Sequence, residues 1–161
     1  MTKGFTLIEI LIYLVLVSLI ATISIAAVYP LIDNYHRSQA LLDIESETNF
    51  LMRKINWALM GAYAINQPAS GNTSTILSIN KEGFSQNPIA FDVSGGNLRI
   101  SLAGAEPIVL NNTNVKIEKA EFENIFQSGL PASVGVELSV KHSSSSSSAS
   151  TTIKVKIGLR K

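Results

Sequence analysis

The hydrophobic rhythm of the chain changes twice. From Ile10 to Ile32 the residues are mostly apolar and none is charged. As a helix those 23 residues would extend about 34 Å, enough to cross a bilayer core of roughly 30 Å. Asp33, His36 and Arg37 end the run. The rhythm then becomes one-sided. Leu41, Ile44, Leu51, Ile55, Ala58, Leu59 and Ala62 recur at helical spacings of three, four or seven and form one stripe. Asp33 and Arg37 stand four apart in the favourable order for a helix. Gly61 and then Asn66-Gln67-Pro68 break the pattern, which predicts one long helix ending near Ala64.

From Asn72 the period is two. Ile89, Phe91 and Val93 alternate with polar or small residues. Leu98, Ile100 and Leu102 do the same beyond Gly95-Gly96, which predicts a β-hairpin. Leu77 and Ile79 suggest a strand before it, and Ile108 to Leu110 a short one after. Val115 and Ile117 fall on odd positions, Ala120 and Phe122 on even ones, so a bulge is expected near Glu118-Lys119. Val134 to Val140 and Ile153 to Leu159 form a last hairpin around the serine run 143–148. Its final strand carries Lys154, Lys156 and Arg160 outward, with Glu137 placed to face one of them. Alternation of this kind leaves one face needing cover, and the stripe on 41–62 is the natural cover. The expected fold is α+β: a long amino-terminal helix packed on an antiparallel β-sheet.

Composition narrows the function. The 161 residues suit one compact domain plus an anchor. A net charge of +1 gives no reason to expect nucleic acid or an acidic substrate. With no cysteine, disulfides, iron–sulfur clusters and thiol nucleophiles are excluded.

The start of the chain reads Lys3-Gly4-Phe5-Thr6-Leu7-Ile8-Glu9. A carboxylate in hydrocarbon costs roughly 3 kcal/mol or more, so Glu9 needs a partner or an exit to the interface. Three readings compete. Glu9 could snorkel beside an uncut leader. Ser24-Ile25-Ala26 has the small-x-small form of a secretory signal cut after Ala26. Cleavage between Gly4 and Phe5 would instead create a positive amine one helical turn before Glu9, within the electropositive first turn.

This segment resembles the class III signal of type IV pilins and type II secretion pseudopilins. The resemblance implies cleavage after Gly4 by a prepilin peptidase, methylation of Phe5, and a role for Glu9 in setting axial register against a neighbour's amine. It also implies an inner-membrane assembly platform, other pilin or pseudopilin subunits and membrane lipid as partners. No cofactor and no small-molecule substrate are implied. Loss of Lys3 would leave 12 basic and 12 acidic side chains. Many relatives carry a proline at the position of Ala26; here it stands at Pro30, so any kink is expected around 26–30. The absence of cysteine, and the amphipathic helix running into a β-rich domain, are similar to minor subunits of the J-type or W-type. The expected organisation is a leader (1–4), a transmembrane and assembly helix (5–32), an amphipathic helix (33–66) and a sheet domain (67–161). The expected location is a single pass through the cytoplasmic membrane with the carboxy-terminal domain outward, then a filament. The rivals are a tethered binding or sensory domain that never polymerises, and a secreted protein.

No catalytic constellation is evident, and the chain is not expected to be an enzyme. His36 and His142 are isolated in sequence. Asp43 and Glu47 share a helix face without a further metal ligand and read as a solvated face. Asn72-Thr73-Ser74 and Asn111-Asn112-Thr113 match N-glycan acceptor triplets, and the serine run could accept O-glycans; a plain flexible loop is the simpler reading.

Overall fold

The computed structural model describes residues 6–126, 131–143 and 149–159. The chain divides into two units, Met1–Gln39 and Ala40–Lys161. One helix, α1 (Leu7–Leu59), begins in the first unit and ends in the second. The serine run at 144–148 and Arg160 lie outside the described residues.

In the second unit α1 is followed by β1 (Ala62–Gln67), β2 (Thr73–Ser74), β3 (Leu77–Lys81), β4 (Ile89–Ser94) and β5 (Asn97–Leu102). Then come β6 (Ile108–Val109), β7 (Val115–Ile125), β8 (Ser133–His142) and β9 (Ser150–Gly158). The architecture is α+β, as expected, but the strands form two sheets. One has five strands in the order β1-β3-β4-β5-β6, the other four in the order β2-β7-β8-β9. Every pairing is antiparallel.

The hairpin around Gly95-Gly96 forms as the alternation predicts, with Ser94 opposite Asn97. Gly95 and Gly96 both take positive φ, 60° and 77°, which a two-residue turn of this hand demands. The bulge also falls where the parity flips: the register between β7 and β8 shifts between Ile117 and Lys119. The shift keeps Val115, Ile117, Ala120 and Phe122 all buried.

The helix ends earlier than its apolar spacing suggests. It stops at Leu59, not near Ala64, and Ala62 is the first residue of a strand. Gly61 has φ +82°, the left-handed conformation that terminates helices. Trp57 offers its carbonyl to the Lys81 ammonium. Glu82 donates its backbone N–H to Gly61 at 2.9 Å. The last turn of α1 contains no basic residue, so Lys81 from β3 supplies the cation that the negative helix end favours.

The buried stripe also differs, with Ala40 in place of Leu41 and Thr48 added. It runs through Ala40, Ile44, Thr48, Leu51, Ile55, Ala58 and Leu59, while Leu41 is exposed. The gap of seven between Ile44 and Leu51 is filled by Thr48. Its hydroxyl donates to the Ile44 carbonyl at 2.6 Å, so a polar side chain is buried without an unmet hydrogen bond. Against this stripe pack residues of both sheets, among them Phe91, Leu98, Phe122 and Leu138, all fully buried.

Candidate functional site

In the first unit, α1 opens with Thr6 outside the helix. The Thr6 carbonyl accepts the backbone N–H of Glu9 at 3.1 Å and of Ile10 at 3.3 Å. Glu9 is the acidic residue of the first turn and is half-buried. A carboxylate there lies against the positive end of the helix dipole. Gly4 and Phe5, the other two residues singled out in the sequence, lie outside the described residues.

Beyond Glu9 the helix shows its apolar side chains on every side. Leu11, Ile12, Leu14, Val17, Ile25 and Leu31 are each more than half exposed. None of its most apolar stretch is buried, and the helix is long and apolar enough to cross a membrane. A soluble domain rarely leaves so much contiguous apolar surface uncovered. Three small hydroxyls in the stretch turn inward on their own backbone. Ser18 donates to the Val15 carbonyl at 2.9 Å, Thr22 to Ser18 and Ser24 to Ile20 at 2.8 Å each. A hydroxyl so paired can enter hydrocarbon without leaving a donor unsatisfied. Pro30 lies in the interior of this helix. Its ring forfeits one backbone donor there.

Length, hydropathy and self-paired hydroxyls suit a lipid environment, and the start of the chain carries a recognisable motif. Residues 1–25 match the family described as the prokaryotic N-terminal methylation motif. The chain carries a class III signal peptide. This is the signal of type IV pilins, and the apolar helix behind it fits the pilin superfamily and its membrane anchoring. The motif supports a pilin-like or pseudopilin precursor, a structural subunit whose implied associates are other pilin subunits and the prepilin peptidase. No curated protein and no solved structure matches the chain.

The second unit places the remaining candidate residues. Asp43 and Glu47, expected to form a solvated face, instead tie α1 to the strands. Glu47 accepts from the backbone and side-chain nitrogens of Asn112. Asp43 lies 3.8 Å from Nε2 of His142, so this histidine is not isolated in the fold. Among the described residues no three imidazole or carboxylate groups converge as metal ligands.

Asn111, the first residue of one glycan triplet, is 7% exposed. Its amide donates to the Val115 carbonyl at 2.7 Å and to Asn97 Oδ1 at 3.1 Å, and its oxygen accepts from Leu98 N–H at 2.8 Å. Its amide is structurally occupied and buried, so the triplet is not an available acceptor. The sequence could not reveal this, since the partners come from β5 and from the start of β7.

The outer face of the four-stranded sheet is a charge lattice. Glu137 on β8 stands opposite Lys154 on β9 and Glu121 on β7. Lys154 Nζ lies 3.1 Å from one Glu137 oxygen and Lys119 Nζ 3.7 Å from the other; Lys119 also sits 3.0 Å from Glu121. The hydrogen bond from Lys154 is the main cause that lowers the Glu137 pKa, with Lys119 adding to it. Lys119 is raised, chiefly by its hydrogen bond to Glu121.

Proposed function

We propose that the chain is a minor pilin or pseudopilin subunit, trimmed after Gly4, methylated at Phe5 and assembled into a type IV pilus-like or type II secretion filament. The observation that carries this reading is the methylation motif at residues 1–25 leading straight into an apolar helix with Glu9 in its first turn. Cleavage leaves a positive amine at Phe5. Glu9 then pairs with that amine on a neighbouring subunit, which fixes how far one helix slides along the next. Moving the apolar helix from lipid into a bundle of like helices exposes no new apolar surface, so the step needs little free energy from burial. Before assembly the subunit is held in the cytoplasmic membrane with Ala40–Lys161 outward, where an assembly platform engages it. Pro30 is the place where the helix bends.

The absence of cysteine and the passage of an amphipathic helix into a β-rich unit support the minor, J-type or W-type, assignment. The protein acts by assembly and not by catalysis.

Mass spectrometry of the mature amino terminus tests the reading. A chain starting at methylated Phe5 is the expected result. A start at Met1 would leave a tethered domain, and a start at Ala27 a secreted one; either would overturn the filament assignment.

A further inference from the structure

Strand β9 is the outer strand of its sheet, and the hydrogen bonds at its two ends fix which backbone groups face outward. Leu159 donates to the Ala132 carbonyl at 2.9 Å, and His142 donates to the Ala149 carbonyl at 3.0 Å. The register between them is unbroken, from Ser133 opposite Gly158 to Lys141 opposite Ser150. In an antiparallel ladder the bonded positions alternate. The odd residues of β9 therefore bond to β8, and Ser150, Thr152, Lys154, Lys156 and Gly158 turn their N–H and C=O groups to the outer edge, where no strand among the described residues pairs with them.

The side chains follow a second alternation. Lys154 and Lys156 stand on the outer face, both exposed. Val155 and Ile157 stand on the inner face. Between α1 and β9 lies a groove of about 490 Å³, lined by Asn49, Met52, Arg53 and Asn56 of the helix and by residues 155–158 of the strand, so apolar and polar side chains share it. Val155 is 40% exposed, high for a β-branched residue on the core side of a sheet. Lysines on an edge strand commonly serve to block chance pairing. That explains Lys154 and Lys156 but not the groove beside Met52, Val155 and Ile157 left open beneath them.

We propose that the free edge of β9 accepts an extended segment of another polypeptide, one in which acidic residues alternate with apolar ones. Main-chain hydrogen bonds to Thr152, Lys154 and Lys156 would add it to the sheet as a fifth strand, the mode of β-augmentation. Its apolar side chains enter the groove over Met52, Val155 and Ile157. Its acidic side chains lie on the outer face beside Lys156, and beside Lys154, which already shares its charge with Glu137; opposite charges across a strand pair attract there. A second copy of β9 does not meet this requirement, because it would bring lysines to lysines. The proposal does not depend on the filament reading.

The test uses the full chain in detergent micelles and a synthetic peptide of alternating glutamate and valine, matched in length to β9. Amide exchange is read by NMR. The expected result is that exchange at Thr152, Lys154 and Lys156 slows by about tenfold or more on saturation, while Ile153 and Val155 change little. Lys156→Glu should weaken binding by about tenfold. Lys156→Pro removes one outward N–H without touching a bond to β8, and should abolish the slowing. If Lys156→Pro fails to fold, Lys156→Glu carries the test. Equal slowing by a lysine–valine peptide overturns the proposal, as does binding that leaves these amides unchanged or ignores the variants. Slowing that grows with protein concentration in the absence of peptide would assign the edge to a second copy instead, and so would also overturn it.

Discussion

Glu47 holds Asn112 by two bonds at once: Oε1 accepts its backbone N–H at 2.8 Å and Oε2 its side-chain amide at 3.0 Å. The two residues are 65 positions apart, so this contact locks the middle of α1 to the segment leading into β7. Asp43 meets His142 one turn earlier on the same helix. Together they make the acidic face of the helix a fastening to the strands.

Glu47→Ala removes the acceptor of both bonds and is expected to destabilise the second unit by about 1–2 kcal/mol. Glu47→Gln keeps an acceptor oxygen, though a weaker one, and should cost less. Chemical denaturation of the two variants checks the order. Equal loss for both would mean that charge, not the paired geometry, matters.

Acidification should loosen β9. The folded Glu137 has a lowered pKa, through Lys154 first and Lys119 second. Its contribution is therefore complete above the range where an unfolded glutamate ionises, about 4.3, and is lost as pH falls through the lower folded value. Lys119 is raised, so its share persists at neutral pH and is lost only as pH climbs through its raised value. Amide exchange in β9 at acid pH is the measurement. Glu137→Gln should exchange faster at neutral pH and respond less to acid.

Gly61→Ala places a side chain at φ +82°. The space around it is open, so the cost is backbone strain alone, about 1 kcal/mol. A thermal melt showing no loss would mean that the helix can end without a left-handed residue there.

Ile55→Ala empties a fully buried site on the stripe of α1 and should cost about 2–5 kcal/mol. Leu41→Ala, at an exposed position, should stay within about 0.5 kcal/mol. Ile55 lies on both stripes and serves as the control; the result at Leu41 separates the observed stripe from the one drawn through that residue.

Glu9→Leu is expected to leave the protein in the membrane but absent from sheared filaments. Removing a charge from an apolar helix does not hinder insertion. Normal incorporation of Glu9→Leu would remove the register role proposed for this carboxylate.

Much of the fold was legible because local alternation carries it. The turn at Gly95-Gly96 and the bulge before Lys119 follow from which positions must face inward. The early end of α1 was not legible. Ala62 continues the helical spacing, and its burial on β1 satisfies the same position by another route. Thr48 was passed over because a hydroxyl paired with its own helix behaves as an apolar residue. The division into two sheets was hidden as well, since alternation gives the inward face of a strand but not its neighbour. For the candidate site, the motif at 1–25 could be read directly, because it is a contiguous string. The contacts of Glu47, Asp43 and Asn111 join distant segments and leave no local trace.

The hydroxyls of Ser18, Thr22 and Ser24 hold on to their own backbone. They ask nothing of a companion rod lying alongside. Such a rod could glide past these three residues without rupturing their hydrogen bonds, so their hydroxyls supply no detent. Any notch that stops the glide has to be cut elsewhere along the shaft.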